Sequence, residues 1–420
     1  MSHVAVIGGG VVGVACAYYL SRGGWQVTLV DRGRIGGGCS HANCGFVSPS
    51  HVLPLAEPGA IRRVLRAMLK KDSPFYIKPR PDPALWGWLM RFARRCNMTD
   101  MLAGGRACHA LLESSRVLYP ALLSEEQIDC EWEPRGLLFV CQTRPALDHF
   151  AATDALLARH FNLPARRIDG EELAEFEPAL LPGMAGGYFY EEDSHLRPDR
   201  LMAEWRRVLE RRGVRVIENC EFRGFVAHDG ATASNGAARR AKTSLDEIQA
   251  DAFVVATGAW TPLLASEIGC RVPIQPGKGY SMTMPRPAVC PRVPMILVEH
   301  RVAVTPMRSG YRLGSTMEFA GYDTSLRPAR LELLRRGAAA CLREPYCEPV
   351  QETWYGWRPM TYDSVPVIDR SPKWHNVFIA AGHNMLGLSM ATGTGKLVAE
   401  LVSGREPHID PAAYSMGRFG

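Results

Sequence analysis

No apolar run in this 420-residue chain approaches the roughly 18 residues that a helical membrane span needs. Mean hydropathy is −0.10, so no such span is expected. None of the 12 cysteines forms a CxxC pair. That argues against a disulfide scaffold, and a metal site on Cys39 and Cys44 is not expected. Reduced thiols in a cytoplasmic protein are the expectation instead. The first candidate strand, Val4–Ile7, begins so close to Met1 that a charged segment and an apolar segment of a secretory signal have no room. Internal repeats and low-complexity tracts are lacking. Neither sign of charge dominates: 49 Lys and Arg against 43 Asp and Glu leave +6, which excludes a globally nucleic-acid-binding surface. Apolar residues at 46% and charged residues at 22% exclude disorder and a coiled coil. The length suits about two domains.

What is present is uneven. Residues 61–95 hold ten Lys or Arg and two acids, a charge of +8, so the remainder of the chain sums to −2. Within this window, 61–71 fits a basic amphipathic helix with Ile61, Val64, Leu65 and Met68 on one face. A Pro-rich break at 78–83 precedes a second helix carrying Leu85, Trp88, Leu89 and Phe92. The window reads either as a solvated face or as a dock for an anionic membrane surface, with aromatic residues beside cations. Elsewhere, helices are expected at 109–128, 145–160, 199–211 and 331–342. Strands are expected at Val4–Ile7, Val27–Val30, Gly136–Val140, Gly187–Tyr190, Val214–Ile217, Phe253–Ala256 and Val377–Ala380, with a surface hairpin or loop over 228–245.

Gly8-Gly9-Gly10-Val11-Val12-Gly13 follows a strand and opens a helix. In G-x-G-x-x-G the first glycine permits the tight turn, the second lets backbone approach a pyrophosphate, and the third lets helix and strand pack closely. The helix N-terminus then receives the phosphates on free N–H groups. Asp31 ends the next strand, where an acid binds a ribose 2′-OH and disfavours a 2′-phosphate. This unit predicts an ADP-containing dinucleotide. Two further strand-to-turn junctions, at Thr257-Gly258 and at Gly382-His383-Asn384-Met385-Leu386-Gly387, favour a flavin over a nicotinamide. The second offers a helix N-terminus to the electron-rich edge of an isoalloxazine.

With these motifs go Ser40-His41-Ala42-Asn43-Cys44-Gly45, Ser48-Pro49, Pro276-Gly277-Lys278-Gly279-Tyr280-Ser281 and Gly356-Trp357-Arg358-Pro359-Met360-Thr361. In this order they resemble the D-amino acid dehydrogenase family, flavoproteins of the wider D-amino acid oxidase and glycine oxidase group, over nearly the whole chain. The resemblance implies an α/β fold: a Rossmann-type FAD-binding domain with an interleaved α+β substrate-binding domain on a mainly antiparallel sheet. The expected division is 1–50, 153–272 and 355–405 for the first domain, and 51–152 and 273–354 for the second. The resemblance also implies non-covalent FAD held by Gly8, Gly10, Val12, Gly13, Asp31, Arg32, Ser40, His41, Asn43, Gly45, Thr257, Gly258, Trp260, Gly382, His383, Leu386, Gly387 and Leu388. His41 and Cys44 depart from the small residues usual there, and Asn384-Met385 from a Gly-Thr-like pair. Related amine dehydrogenases attach FAD to a His in a Ser-His-Ala-like segment, but a His near the flavin without a bond is expected here.

Hydride transfer from a substrate Cα to flavin N5 asks the protein chiefly for positioning. A carboxylate anchor comes first, and a bidentate Arg serves best; Arg358 is the candidate. Tyr280 is expected to donate a hydrogen bond to the carboxylate or cap the pocket, or else to sit half-buried on a strand. Asn384 and Met385 are candidates to shape the pocket, and Lys278 either brings charge to the flavin or braces a turn. No catalytic base is assigned, since water can take the proton of the amine. Asp193-Ser194-His195 lacks a nucleophile elbow and reads as a turn. The resemblance implies oxidative deamination of a D-amino acid, with a secondary one such as D-proline or hydroxy-D-proline among the choices, and electrons passing to a quinone or other respiratory acceptor. A glycine- or amine-type oxidase making peroxide, and a flavin-binding subunit of a larger complex, are the alternatives. A cytoplasmic protein at the inner face of the membrane is the expected setting, with no nucleic acid and no metal.

Overall fold

The computed structural model describes residues 1–68, 73–227 and 236–419. His3–Ile7 buries Val4, Ala5, Val6 and Ile7 alike. A strand with no polar face suits the centre of a parallel sheet covered on both sides. It pairs in parallel with Gln26–Val30 on one side and Ala252–Val255 on the other. The full order is Val367–Arg370, Val377–Ala381, Ala252–Val255, His3–Ile7, Gln26–Val30, Arg215–Ile217. The helices Val11–Arg22 and Ala391–Val402 pack together on this sheet.

A nine-stranded sheet forms the second layer. Its order is Glu352–Thr361, Ile274–Met284, Gly310–Phe319, Val302–Met307, Met295–Leu297, Leu137–Cys141, Gly186–Tyr190, Arg166–Asp169, with Phe75–Ile77 added to the end of Gly310–Phe319. Most of its pairings are antiparallel. Two of its strands fall in 153–272, the stretch expected to go wholly with the parallel sheet. Gly186 and Gly187 let Gly186–Tyr190 lie between Leu137–Cys141 and Arg166–Asp169, and so carry it into the antiparallel layer. Residues 238–243 also form more than a loop. Ala238–Thr243 pairs with Phe222–Ala227 and with Glu247–Gln249, burying Ala238 and Ala241 beneath exposed arginines; 228–235 lie outside the described residues.

The helix expected at 109–128 begins earlier, at Met98, and runs to Glu125. Gly104 and Gly105 weaken the helical signal there. They are needed because a Cβ would meet Pro54 Cγ at 3.1 Å and Phe161 Cζ at 2.7 Å. The basic window folds as the helix Ala60–Met68, the strand Phe75–Ile77 and the helix Pro83–Arg95. Residues 69–72, the end of the expected first helix, lie outside the described residues. Asp82 caps the last helix by accepting from Leu85 N–H at 3.0 Å. Leu85 and Trp88 are buried with Met360 and Tyr362, and Trp88 Nε1 donates to the carbonyls of Pro273 and Met360. These bonds fix the window against the end of the Glu352–Thr361 strand.

Candidate active site

The carboxyl ends of His3–Ile7, Gln26–Val30 and Ala252–Val255 meet at the glycine turn. Gly8 has φ +108°, and a Cβ there would meet the Ala256 carbonyl oxygen at 2.5 Å. A Cβ on Gly13 would lie 1.8 Å from the Gly8 oxygen. Gly10 differs: a Cβ would find only Ser40 Oγ, at 3.5 Å. Space therefore lies in front of the helix N-terminus, where the first-turn N–H groups of Val12 and Gly13 have no intrahelical acceptor. Val11 N–H donates to Ser40 Oγ at 2.9 Å. Asp31 accepts from Gly9 N–H and Gly33 N–H, each at 2.7 Å. This leaves a lone pair on each carboxylate oxygen for a ribose hydroxyl. Arg32 stacks on Trp260 at 4.0 Å, beside Gly258, which has φ +54° and where a Cβ would meet nothing within 4 Å. Thr257 Oγ1 lies 3.0 Å from Thr261 Oγ1. This open, donor-lined cradle fits the dinucleotide half of FAD.

The 39–45 loop joins the two sheets. Ala42, Asn43 and Cys44 offer their carbonyls to Ser281 Oγ, Arg312 Nη1 and Thr305 Oγ1 at 2.7, 2.8 and 2.6 Å. Asn43 Oδ1 accepts from Gly45 N–H at 2.9 Å. Gly45, at φ +76°, faces the Leu196 carbonyl too closely for any side chain. The His41 ring is engaged by Glu352 at 2.7 Å, on the antiparallel sheet. That hydrogen bond raises the His41 pKa and lowers that of Glu352.

The 382–388 turn closes the opposite side. Gly382 has φ +78°, and a Cβ would strike Thr361. His383 is buried and lies 3.0 Å from Thr394 Oγ1; burial pushes its pKa down to about 3, so the ring is neutral. Leu386 N–H donates to His383 O at 2.9 Å, and the Leu388 carbonyl accepts from Tyr119 at 2.7 Å. Gly387 meets only His383 Cβ, at 3.6 Å. Met385 is 45% exposed. Asn384, expected to shape the substrate pocket, instead clips the turn. Its Oδ1 accepts from Thr361 N–H, its Nδ2 donates to Thr361 Oγ1 and Gly382 O, and its own N–H donates to Pro359 O. The Asn384 backbone is left-handed, at φ 52°.

Arg358 lies between these two segments. In the antiparallel register Gly277 faces Arg358, Gly279 faces Gly356, and Ser281 faces Trp354. All six side-chain positions share one face of the sheet. A Cβ on Gly279 would meet Arg358 Nη1 at 2.3 Å, and one on Gly356 would meet Trp354 Cη2 at 2.2 Å. The guanidinium and the indole therefore lie down together on a floor of glycine. Arg358 Nη1 donates to Thr316 O at 2.8 Å. Among the described residues no carboxylate lies within ion-pair distance of Arg358. Tyr280 and Lys278 alternate to the other face, away from Arg358. Tyr280 OH donates to Glu318 at 2.8 Å, and Glu318 pairs with Arg327 at 2.7 Å. Lys278 is fully buried over the Tyr355 ring and donates to Ser325 O. Neither reaches the Arg358 surface, which corrects the pocket role expected of Tyr280. Trp354 and Glu352 were not singled out from the sequence, although their period-two spacing from Arg358 carries the signal.

The Asp193-Ser194-His195 segment has no hydrolase geometry. Asp193 accepts from Ser50 N–H and Oγ, and burial raises its pKa to about 7. His195 is buried with no hydrogen-bond partner on either ring nitrogen. Among the described residues no group of His, Cys, Asp or Glu could hold a metal.

Comparison with known proteins agrees with this arrangement. The D-amino acid dehydrogenase of Granulibacter bethesdensis is 34% identical over 434 residues, covering 99% of both chains. That of Agrobacterium fabrum is 30% identical, again over 99% of each. The crystal structure of glycine oxidase from Geobacillus kaustophilus matches with a TM-score of 0.78 at 22% identity over 99% of both chains. L-proline dehydrogenase from P. horikoshii matches with a TM-score of 0.73 at 20% identity, covering 100% of this chain and 97% of that one. The DAO family model, described as FAD dependent oxidoreductase, spans residues 3–401. The chain belongs to this family of FAD-dependent oxidoreductases.

Proposed function

We propose that this protein is a D-amino acid dehydrogenase, oxidising the Cα–N bond of its substrate to an imine that water converts to a 2-oxo acid. The observation that carries this reading is Arg358: half-buried, laid on the Gly279–Gly356 floor, and with no carboxylate among the described residues within ion-pair distance. Such a fork binds a substrate carboxylate bidentately. Bound FAD supplies the hydride acceptor. The glycine turn and Asp31 would hold its ADP part, and the 39–45 loop and the 382–388 turn would hold the remainder. Trp354 limits the substrate on one side. The neutral His383 adds no charge to the site at physiological pH. The names of the curated relatives support a D-amino acid substrate, and a secondary one such as D-proline fits the same anchor.

Electrons then pass to a quinone or other respiratory acceptor. On Ala60–Met68 and Pro83–Arg95, Ile61, Leu65, Trp86 and Met90 are 40%, 60%, 52% and 62% exposed beside Arg62, Arg63, Arg66 and Arg91. These apolar side chains are not spent on the core, and the cations complement an anionic lipid surface. Docking there holds the enzyme at the inner face of the cytoplasmic membrane.

Anaerobic addition of a panel of D- and L-amino acids tests the reaction. D-Amino acids should bleach the flavin without stoichiometric peroxide when air is admitted. Bleaching by no amino acid would favour a non-catalytic subunit, and one peroxide per turnover an oxidase. Arg358→Lys keeps the charge and loses the fork, so substrate affinity should fall by roughly 10- to 150-fold with flavin content unchanged. Equal affinity in that variant would remove Arg358 from the site. For docking, co-sedimentation with anionic liposomes should fall with salt and with Arg62, Arg63 and Arg66 all changed to Ser, because screening acts within about a Debye length. Equal sedimentation of both proteins at low salt would make the patch a solvated face.

A further inference from the structure

Two tryptophans on the Glu352–Thr361 strand have opposite surroundings. Trp357 meets three other rings edge to face, Trp260, Tyr322 and Tyr355, at centroid distances of 5.5, 6.0 and 5.3 Å. Trp354 points to the other face of the sheet. It is half-buried and packs against none of the four hydrophobic clusters. Among the described residues no ring, cation or hydrogen bond engages its indole. An indole offers a large apolar surface and one donor, and both usually find partners within the fold. Here the apolar surface is left half open to water.

The place of that surface is set by the register. The six-membered ring of Trp354 covers Gly356, where a Cβ would meet Cη2 at 2.2 Å and Cζ2 at 2.4 Å. Gly356 stands directly opposite Gly279, which Arg358 covers in the same way, with Nη1, Nη2 and Cζ at 2.3, 2.4 and 2.5 Å from the position of a Cβ. Opposed Cβ positions in an antiparallel pair are about 5 Å apart, so ring and guanidinium lie side by side at about that spacing. The guanidinium is held by one arm. The register against Gly310–Phe319 slips between Lys278 and Tyr280. At this bulge Ser315 and Thr316 have φ 141° and 60°, and the Thr316 carbonyl accepts from Arg358 Nη1 at 2.8 Å. The edge formed by Nε and Nη2 has no partner among the described residues. Ring and guanidinium both rest on glycine, so their open surfaces face away from the sheet, on the side where the 39–45 loop bonds to Ser281.

We propose that Trp354 sets the substrate class: its indole receives the side chain of a D-amino acid whose carboxylate Arg358 holds, so broad apolar side chains, aromatic ones above all, are preferred to the methyl group of alanine. This rests on the reading of Arg358 as the substrate anchor. A side chain branching next to a carboxylate held on that guanidinium arrives over the neighbouring ring. Laid against the indole, it removes apolar surface of both partners from water, and offset stacking of an aromatic ring adds to the attraction. A single methylene group in an apolar pocket discriminates by roughly 10- to 200-fold, so a phenyl ring should gain at least tenfold.

The test uses two carboxylates that differ only in the ring, 3-phenylpropanoate and propanoate, which are the phenylalanine and alanine skeletons without the amine. Their binding to the flavin-loaded protein is measured by calorimetry for wild type, Trp354→Ala, Trp354→Gln, Trp354→Phe and Arg358→Lys. Wild type should bind 3-phenylpropanoate at least tenfold more tightly than propanoate. Trp354→Ala and Trp354→Gln should abolish that gap, with propanoate affinity and flavin content unchanged. Trp354→Gln still covers Gly356, so it carries the test if the alanine variant folds poorly. Trp354→Phe should restore most of the gap, and the ratio of kcat/KM for D-phenylalanine over D-alanine should follow it across the series. No gap in wild type, a gap that survives in Trp354→Gln, or equal loss of both ligands would overturn the proposal. Loss of flavin from Trp354→Gln would make the indole a cofactor contact instead. Arg358→Lys should weaken both carboxylates alike. If it weakened neither, or wild type ignored both, the anchor reading itself would fall, whatever Trp354 does.

Discussion

At the end of His3–Ile7, Gly8 and Gly13 omit their side chains so that backbone can touch backbone. The missing Cβ atoms would fall 2.5 and 1.8 Å from carbonyl oxygens. On the antiparallel sheet, Gly279 and Gly356 omit theirs so that two side chains, Arg358 and Trp354, can lie flat. The first surface is closed by parts that cannot move. The second is closed by the far ends of flexible side chains, which can. Damage to the first should therefore cost the fold, and damage to the second should cost function while the fold survives.

The largest effect is expected at Gly13. Gly13→Ala drives a methyl group into the Gly8 carbonyl, and overpacking against rigid backbone should exceed about 3 kcal/mol. Little soluble protein should result. Gly10→Ala serves as the internal contrast, because its methyl group meets only Ser40 Oγ, at 3.5 Å. That variant should fold with a near-normal melting temperature but lose its yellow colour, since the second glycine is where the pyrophosphate approaches. A soluble, yellow Gly13→Ala protein, or a Gly10→Ala protein that retains full flavin, would erase the distinction.

Gly279→Ala probes the softer surface. Its methyl group would fall 2.3 to 2.5 Å from the Arg358 guanidinium, which must swing off the floor and away from Thr316. Flavin content and stability should change little, within about 1 kcal/mol, whereas substrate affinity should drop by at least tenfold, as in a charged hydrogen bond lost. Flavin absorbance per mole and the KM of the best substrate in the panel report the two sides separately. Loss of flavin with KM unchanged would show that this floor serves the cofactor instead.

The same contrast explains what could be read from the sequence. Much of the dinucleotide cradle is local: Gly8, Gly10, Gly13 and Asp31 belong to one strand–helix–strand unit with Ser40 on the loop after it, and short-range spacing encodes them. Arg358 stands out in the sequence because Gly-Trp-Arg-Pro is a contiguous motif. Its setting was not legible. The glycine floor needs the register of Ile274–Met284 against Glu352–Thr361, and the bulge at Ser315–Thr316 leaves no mark in residue type, since neither Ser nor Thr advertises a positive φ. For Tyr280 the strand alternative is the one observed, because alternation around Gly279 sends it to the Glu318 side, and the Asn384 amide is consumed by a turn. Ala238–Thr243 hid in a tract rich in small residues, where alternation of buried alanine with exposed arginine is easily taken for loop composition.

The smallest effect is expected where the two surfaces are tied to each other. His41, on the loop that follows the dinucleotide unit, meets Glu352 on the strand that carries Arg358, at 2.7 Å. Donating a hydrogen bond to Glu352 raises the His41 pKa above 6.5, and accepting it holds Glu352 below 4.5. The sign for the histidine follows from linkage: its contribution is fully present below pH 6.5 and is lost as pH rises through the higher folded value. For the glutamate, the contribution is present above pH 4.5 and is lost as pH falls through its lowered value. The pair is thus strongest between those limits. Both side chains are more than a third exposed, so water screens them and the gain should be only a few tenths of a kcal/mol. His41→Gln keeps a neutral hydrogen bond and removes the titration. The melting-temperature difference between wild type and His41→Gln should be largest near pH 5.5 and shrink toward pH 8.5. A difference that stays constant across that range would mean that the tie between loop and sheet is made by the Ser281, Thr305 and Arg312 bonds alone.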